Sequence, residues 1–141
     1  MRICYLIIVL LSFSACKNQE GTPVSDNGLP TDFEEFYKKF HKDTTFQLGH
    51  ISFPLAGSPA MVDTLVVTDI PFFWEKDQWE YHRAFDPASQ FDRSFIVLGP
   101  ELINERYQHR ELPLIMERRF AKTSDGWRLI YYSAPAPGKI L

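Results

Sequence analysis

The sequence predicts an α+β domain, an N-terminal helix packed on an antiparallel sheet, carried behind an export leader and a tether. Three observations point there. Apolar residues recur at helical spacing over 33–40, several β-type runs then follow with no helix between them, and the first sixteen residues form an apolar run that ends at a cysteine. The expected organisation is a leader over 1–15, a lipidated Cys16 and flexible tether over 16–30, and one folded domain over 31–141.

In the leader, Met1-Arg2 supplies a positive start, Ile3 to Phe13 is nearly unbroken apolar chain, and Ser14-Ala15-Cys16 closes it with small residues, the pattern of a signal peptide. About eleven apolar residues are too few to span a ~30 Å hydrocarbon core. Phe13-Ser14-Ala15-Cys16 resembles the bacterial lipobox, with Phe13 where Leu is usual. That resemblance implies a diacylglycerylated Cys16 as the first mature residue, and an exported protein anchored in the bacterial cell envelope. The two cysteines are Cys4 and Cys16. With Cys4 inside the leader, no thiol remains for a disulfide in the fold. Loss of Arg2 with the leader takes the net charge from −3 to −4, which opposes any added electrostatic hold on anionic lipid.

Residues 17–30 carry two Gly, two Pro and small polar side chains, a spacer that would keep the domain on the order of 20 Å from its anchor. Thr31-Asp32-Phe33-Glu34 reads as a capping box opening the helix. Phe33, Phe36, Tyr37 and Phe40 make one stripe, with acids ahead of bases as the macrodipole favours; core packing is the commonest reason for such a stripe. Strands are expected over 45–53, 62–68, 93–98, 112–122 and 127–133, with 103–111 as a polar, solvent-facing edge strand. Residues 74–85 fit a short helix, with a strand followed by an irregular loop fitting almost as well. Thr123-Ser124-Asp125-Gly126 is turn chemistry joining the last two strands.

Composition places this domain among packed globular proteins. Of 141 residues, 45% are hydrophobic and 15% aromatic, enough apolar area for a core without covalent staples. No basic stripe of the kind that phosphate backbones require is present, which argues against nucleic acid.

The run Phe33-Glu34-Glu35-Phe36-Tyr37-Lys38-Lys39-Phe40, then D-T-T-F-Q from Asp43, then Ile51-Ser52-Phe53-Pro54-Leu55, with a late Trp127-Arg128-Leu129 strand, resembles the DUF4348 family of small exported lipoproteins, which is assigned an NTF2-like fold. Where that family often has an arginine before F-P-L, this chain has Gly49-His50. The resemblance implies a bent antiparallel sheet wrapped over the helix as a cone whose mouth holds a small ligand, and it brings no catalytic motif. NTF2-like domains include ketosteroid isomerases, dehydratases, ligand binders and interaction modules, so the fold leaves function open.

The residues exclude several chemistries. His41, His50, His82 and His109 are far apart in sequence, with no H-x-x-x-H or C-x-x-C, so neither a metal nor another cofactor is expected. There is no G-x-S-x-G elbow, and Gly57-Ser58-Pro59 reads as a turn. Acid–base work in an apolar cavity remains. Hairpin parity places Leu114, Met116, Arg118 and Phe120 on one face with Trp127, Leu129 and Tyr131, and only Arg118 is out of place there; a four-residue loop sets it opposite Tyr131. Asp69, within V-V-T-D-I-P-F-F-W, is the acidic partner of choice. Read structurally, Arg118 reaches to the rim and Asp69 makes a turn before Pro71. Read functionally, Arg118 and Tyr131 hold an anionic or carbonyl ligand, with Asp69 as the base. His50 and His82 are further proton carriers, while Glu117, Arg119 and Arg128 fall on the solvated face. Two functions follow. The preferred one is a non-catalytic envelope lipoprotein domain binding a small apolar or acidic ligand or an envelope protein partner. The alternative is a ketosteroid isomerase- or dehydratase-like enzyme.

Overall fold

The computed structural model describes residues 28–60 and 71–137. The leader, Cys16, the tether to Asn27, the expected strand over 62–68 and Asp69 lie outside the described residues. Two short helices, α1 (Thr31–Phe40) and α2 (Thr44–Gly49), precede β1 (Ile51–Ser58), β2 (Phe72–Trp74), β3 (Phe91–Gly99), β4 (Leu102–His109), β5 (Leu114–Thr123) and β6 (Gly126–Pro137). The class is α+β, with one mixed six-stranded sheet in the order β2-β1-β6-β5-β4-β3.

Helix α1 forms where the stripe places it, but without the Thr31–Glu34 capping box. Pro30 is the N-cap, and its carbonyl accepts from the Phe33 and Glu34 amides at 3.0 and 3.1 Å. The stripe is core: Phe33 and Phe40 have no solvent exposure and Phe36 has 8%. Phe33 packs edge-on against Trp127 and Phe120, at centroid distances of 5.0 and 5.5 Å, an arrangement that suits aromatic quadrupoles.

The expected strand over 45–53 divides in two. Its first half is α2, because the Asp43 side chain caps the Phe46 amide at 2.9 Å and outweighs the weak helix preference of Thr44 and Thr45; its second half begins β1. Residues 74–85 form no α-helix. Strand β2 ends at Trp74, a 3₁₀ turn spans Lys76–Gln78, and the rest is irregular, which is the strand-then-loop alternative. Residues 103–111 are not an edge strand: β4 lies between β3 and β5, and β3 is the edge. The sheet is also not wholly antiparallel, since β1 and β6 run parallel. They are far apart in sequence, and the long crossover from β2 to β3 sets their relative direction, which local patterning does not encode.

At Gly57 an added Cβ would come within 2.1 Å of the Tyr132 carbonyl oxygen and 2.5 Å of the Trp74 indole nitrogen. Glycine here lets that indole lie across β1 and donate to the Tyr132 carbonyl at 3.0 Å.

Candidate functional site

The β5–β6 hairpin turns on Ser124 and Asp125, and Lys122 pairs with Trp127 and Phe120 with Leu129, the register of the four-residue-loop reading. Ile130 is then an extra residue on β6, so beyond it Arg118 pairs with Tyr132 and Arg119 with Tyr131. A bulge of this kind sends the side chains that follow to the other face, here as far as Ser133, beyond which the register shifts again. Tyr131 consequently lies under the Arg119 guanidinium, whose Cζ is 5.1 Å from the Tyr131 ring centroid, on the outer face, and its expected place opposite Arg118 is taken by Tyr132.

Arg118 points inward and is 2% exposed. Its partner is Glu105, directly across on β4: Arg118 Nε donates to Glu105 Oε2 at 2.8 Å. Arg118 Nη2 donates to the Tyr107 hydroxyl at 2.6 Å, and Nη1 faces His82 Nδ1 at 3.4 Å. The Tyr37 hydroxyl, from α1, donates to the other Glu105 oxygen. Neither Arg118 nor Glu105 can be buried alone at an acceptable cost, and together their charges cancel. Burial, the largest influence, would by itself loosen the Arg118 proton, but the Glu105 carboxylate together with Tyr107 and Tyr37 outweighs it and holds the guanidinium above its usual range. Burial, then the Glu105 charge, pushes the Tyr37 hydroxyl up, and burial raises Tyr107; both stay protonated.

Gln47 on α2, with no exposure, fixes the segment above this cluster. Its Nε2 donates to the Phe40 and His82 carbonyls at 2.9 and 2.8 Å, and its Oε1 accepts from the Trp79 indole and the His82 amide at 3.1 and 3.0 Å. His41 Nδ1 donates to the same His82 carbonyl at 2.8 Å. Burial, then the charge of Arg118, lowers His41 to about 4 and His82 to about 3. Both are neutral at neutral pH, and because His82 Nδ1 accepts from Arg118, its proton is on Nε2.

Beside this cluster is a cavity of about 420 Å³. Phe85, Phe91 and Met116 make apolar walls, and Arg118, Tyr107 and His82 supply its polar side. Exposed Arg83 and Asp86, of opposite charge, also line it. Of the residues singled out from sequence, Arg118 and His82 come together here. His50 does not: it stacks on Phe46 at 3.7 Å and bonds to the Phe46 carbonyl at 2.8 Å. Sequence reading missed Glu105, Tyr107 and Gln47. The alternation Ile103, Glu105, Tyr107 was the available signal, obscured by the polar residues among them.

Neither a protein-family model nor a curated protein matches this chain. Among solved structures it is similar to a cystatin-like protein from Bacteroides caccae, with a TM-score of 0.56, 18% identity, and 79% of this chain and 80% of that one covered. A protein from Bacteroides uniformis is similar at a TM-score of 0.51 and 19% identity, covering 79% and 78%. An NTF2-like protein from Bacteroides fragilis is similar at a TM-score of 0.52 and 16% identity; 79% of this chain is covered, and it spans about half of that protein's length, 48%. At these identities the likeness speaks to architecture alone, and the architecture is NTF2-like.

Proposed function

We propose that this is a cell-envelope lipoprotein whose NTF2-like domain binds a small, mostly apolar ligand without transforming it. The observation that carries this reading is the cavity of about 420 Å³ with apolar walls and the buried Arg118 on its polar side, a composition typical of small-molecule sites. Lipidation at Cys16 and the DUF4348 resemblance rest on the residues quoted above. Against the isomerase- or dehydratase-like alternative, His82 at about 3 is too weak a base at neutral pH, and Glu105 is held by Arg118 and Tyr37. The other base considered, Asp69, is outside the described residues. A protein partner is the second reading, favoured by Ile96, Val97 and Leu98, which are 44 to 54% exposed on the edge strand β3.

The neutral naphthalene fluorophore prodan tests the cavity. It should bind one to one, and Met116→Trp, which fills the space, should abolish binding without lowering the melting temperature. Prodan binding that survives Met116→Trp, or no binding at all, would count against a ligand cavity. For the anchor, Cys16→Ala should move the protein from the detergent phase to the aqueous phase; equal partitioning of variant and wild type would contradict lipidation.

A further inference from the structure

The hydrogen-bond inventory of the cavity narrows its ligand, on the assumption that the cavity binds one, as proposed above. A guanidinium has five N–H donors. Among the described residues, three of Arg118's reach Glu105, Tyr107 and His82, leaving two. His82 adds a third donor, because its Nδ1 accepts from Arg118 and the neutral ring therefore carries its proton on Nε2. The acceptors of Glu105 and the His82 carbonyl already have donors. One Glu105 oxygen receives Arg118 and the other Tyr37; the His82 carbonyl receives His41 and Gln47. On the inner, polar side of the cavity Arg118 and His82 offer donors, while the lining carboxylate, Asp86, is exposed and the unpartnered His41 Nε2 does not line the cavity. Whatever enters should therefore lead with a hydrogen-bond acceptor.

Charge decides which acceptor. The positive charge of Arg118 is already paired with Glu105 at 2.8 Å, and both side chains are buried. A second carboxylate on the same guanidinium would stand beside Glu105, and two such acids in a desolvated site cannot both remain ionised cheaply. Arg93 reaches the Tyr37 hydroxyl at 3.4 Å from an exposed position on β3, and Arg83 lines the cavity from an exposed position, as does the oppositely charged Asp86, so neither arginine adds a buried cation on its inner side. The walls Phe85, Phe91 and Met116 favour a flat apolar body.

We propose that the cavity takes a neutral, largely apolar molecule that presents a carbonyl oxygen to Arg118, and discriminates against the corresponding carboxylate. A matched trio on one skeleton tests this: 2-acetylnaphthalene, 2-naphthoate and 2-ethylnaphthalene, titrated calorimetrically at neutral pH into the full chain. The ketone should bind tighter than both others by about tenfold, the worth of one hydrogen bond to a charged group. Its binding should disappear in Met116→Trp. Naphthoate binding as well as or better than the ketone would overturn the charge argument and leave the ligand-cavity reading standing. Ethylnaphthalene binding as well as the ketone would overturn the acceptor argument alone. Failure of all three to bind would remove the ligand-cavity reading itself, and this inference with it.

Discussion

Arg118 on β5 and Glu105 on β4 stand directly across from each other and meet at 2.8 Å, with side-chain exposures of 2% and 0%. Around this pair the Tyr37 and Tyr107 hydroxyls complete a polar cluster set into an aromatic core. The pair has a structural consequence whether or not a ligand binds, because each charge is tolerable only while the other is present.

Arg118→Met should lower stability by about 3 to 5 kcal/mol, since it leaves a buried carboxylate without its cation. The double variant Arg118→Met/Glu105→Leu should recover most of that loss, because the lone charge is gone. Denaturant midpoints of the two variants and of Glu105→Leu form a double-mutant cycle. Equal losses in the single Arg118 variant and the double variant would show that the pair is not what stabilises this region.

Phe40→Ala should cost about 3 to 5 kcal/mol. Phe40 has no exposure and packs on Phe36 and Phe120 at 5.4 and 5.6 Å, so truncation opens a cavity between α1 and the sheet. This could exceed half of a typical domain's stability. An unchanged denaturant midpoint would place the stripe outside the stabilising core.

Acid should destabilise the fold through its two buried histidines. His41 and His82 have folded-state values of about 4 and about 3, against 6.5 when unfolded. The unfolded chain therefore takes up protons first as pH falls. Stability is fully present above about 6.5 and is lost on the way down toward 4 and 3, by at most about 1.4 kcal/mol per pH unit for each histidine. Arg118 faces His82 and carries the same sign as the incoming proton, while Glu105 acts in the opposite direction on His41. Urea midpoints at pH 7.5 and pH 5 check this, and His41→Gln should flatten the profile. A flat profile in the wild-type protein would mean that neither ring is buried.

Gln47→Leu should loosen the segment over the cavity. The Trp79 indole and the His82 amide would lose their acceptor, and each stranded buried donor costs about 1 to 3 kcal/mol. Hydrogen exchange at the His82 amide should speed up in the variant, with a matching drop in melting temperature. Unaltered protection at His82 would show that other contacts hold this segment.

Local chemistry in the sequence determined the elements whose signals are short in range. The 33–40 stripe specified α1 and its buried face, the Thr123 to Gly126 turn specified the final hairpin, and parity along 112–122 identified Arg118 as an inward-facing charge. Tertiary structure alone decided what that charge meets. The single extra residue at Ile130 exchanges Tyr131 for Tyr132 opposite Arg118, and nothing in the alternation of apolar residues announces it. Glu105 and Tyr107 looked like positions on a solvated edge because polar residues in a strand ordinarily face water. Their strand is in fact third from the parallel β1/β6 junction and covered by α1 and the 79–91 segment, and a polar residue there is stable only because its partner arrives from another strand. Pairing between distant segments depends on the path of the whole chain, and the sequence near any one of those residues carries no record of it.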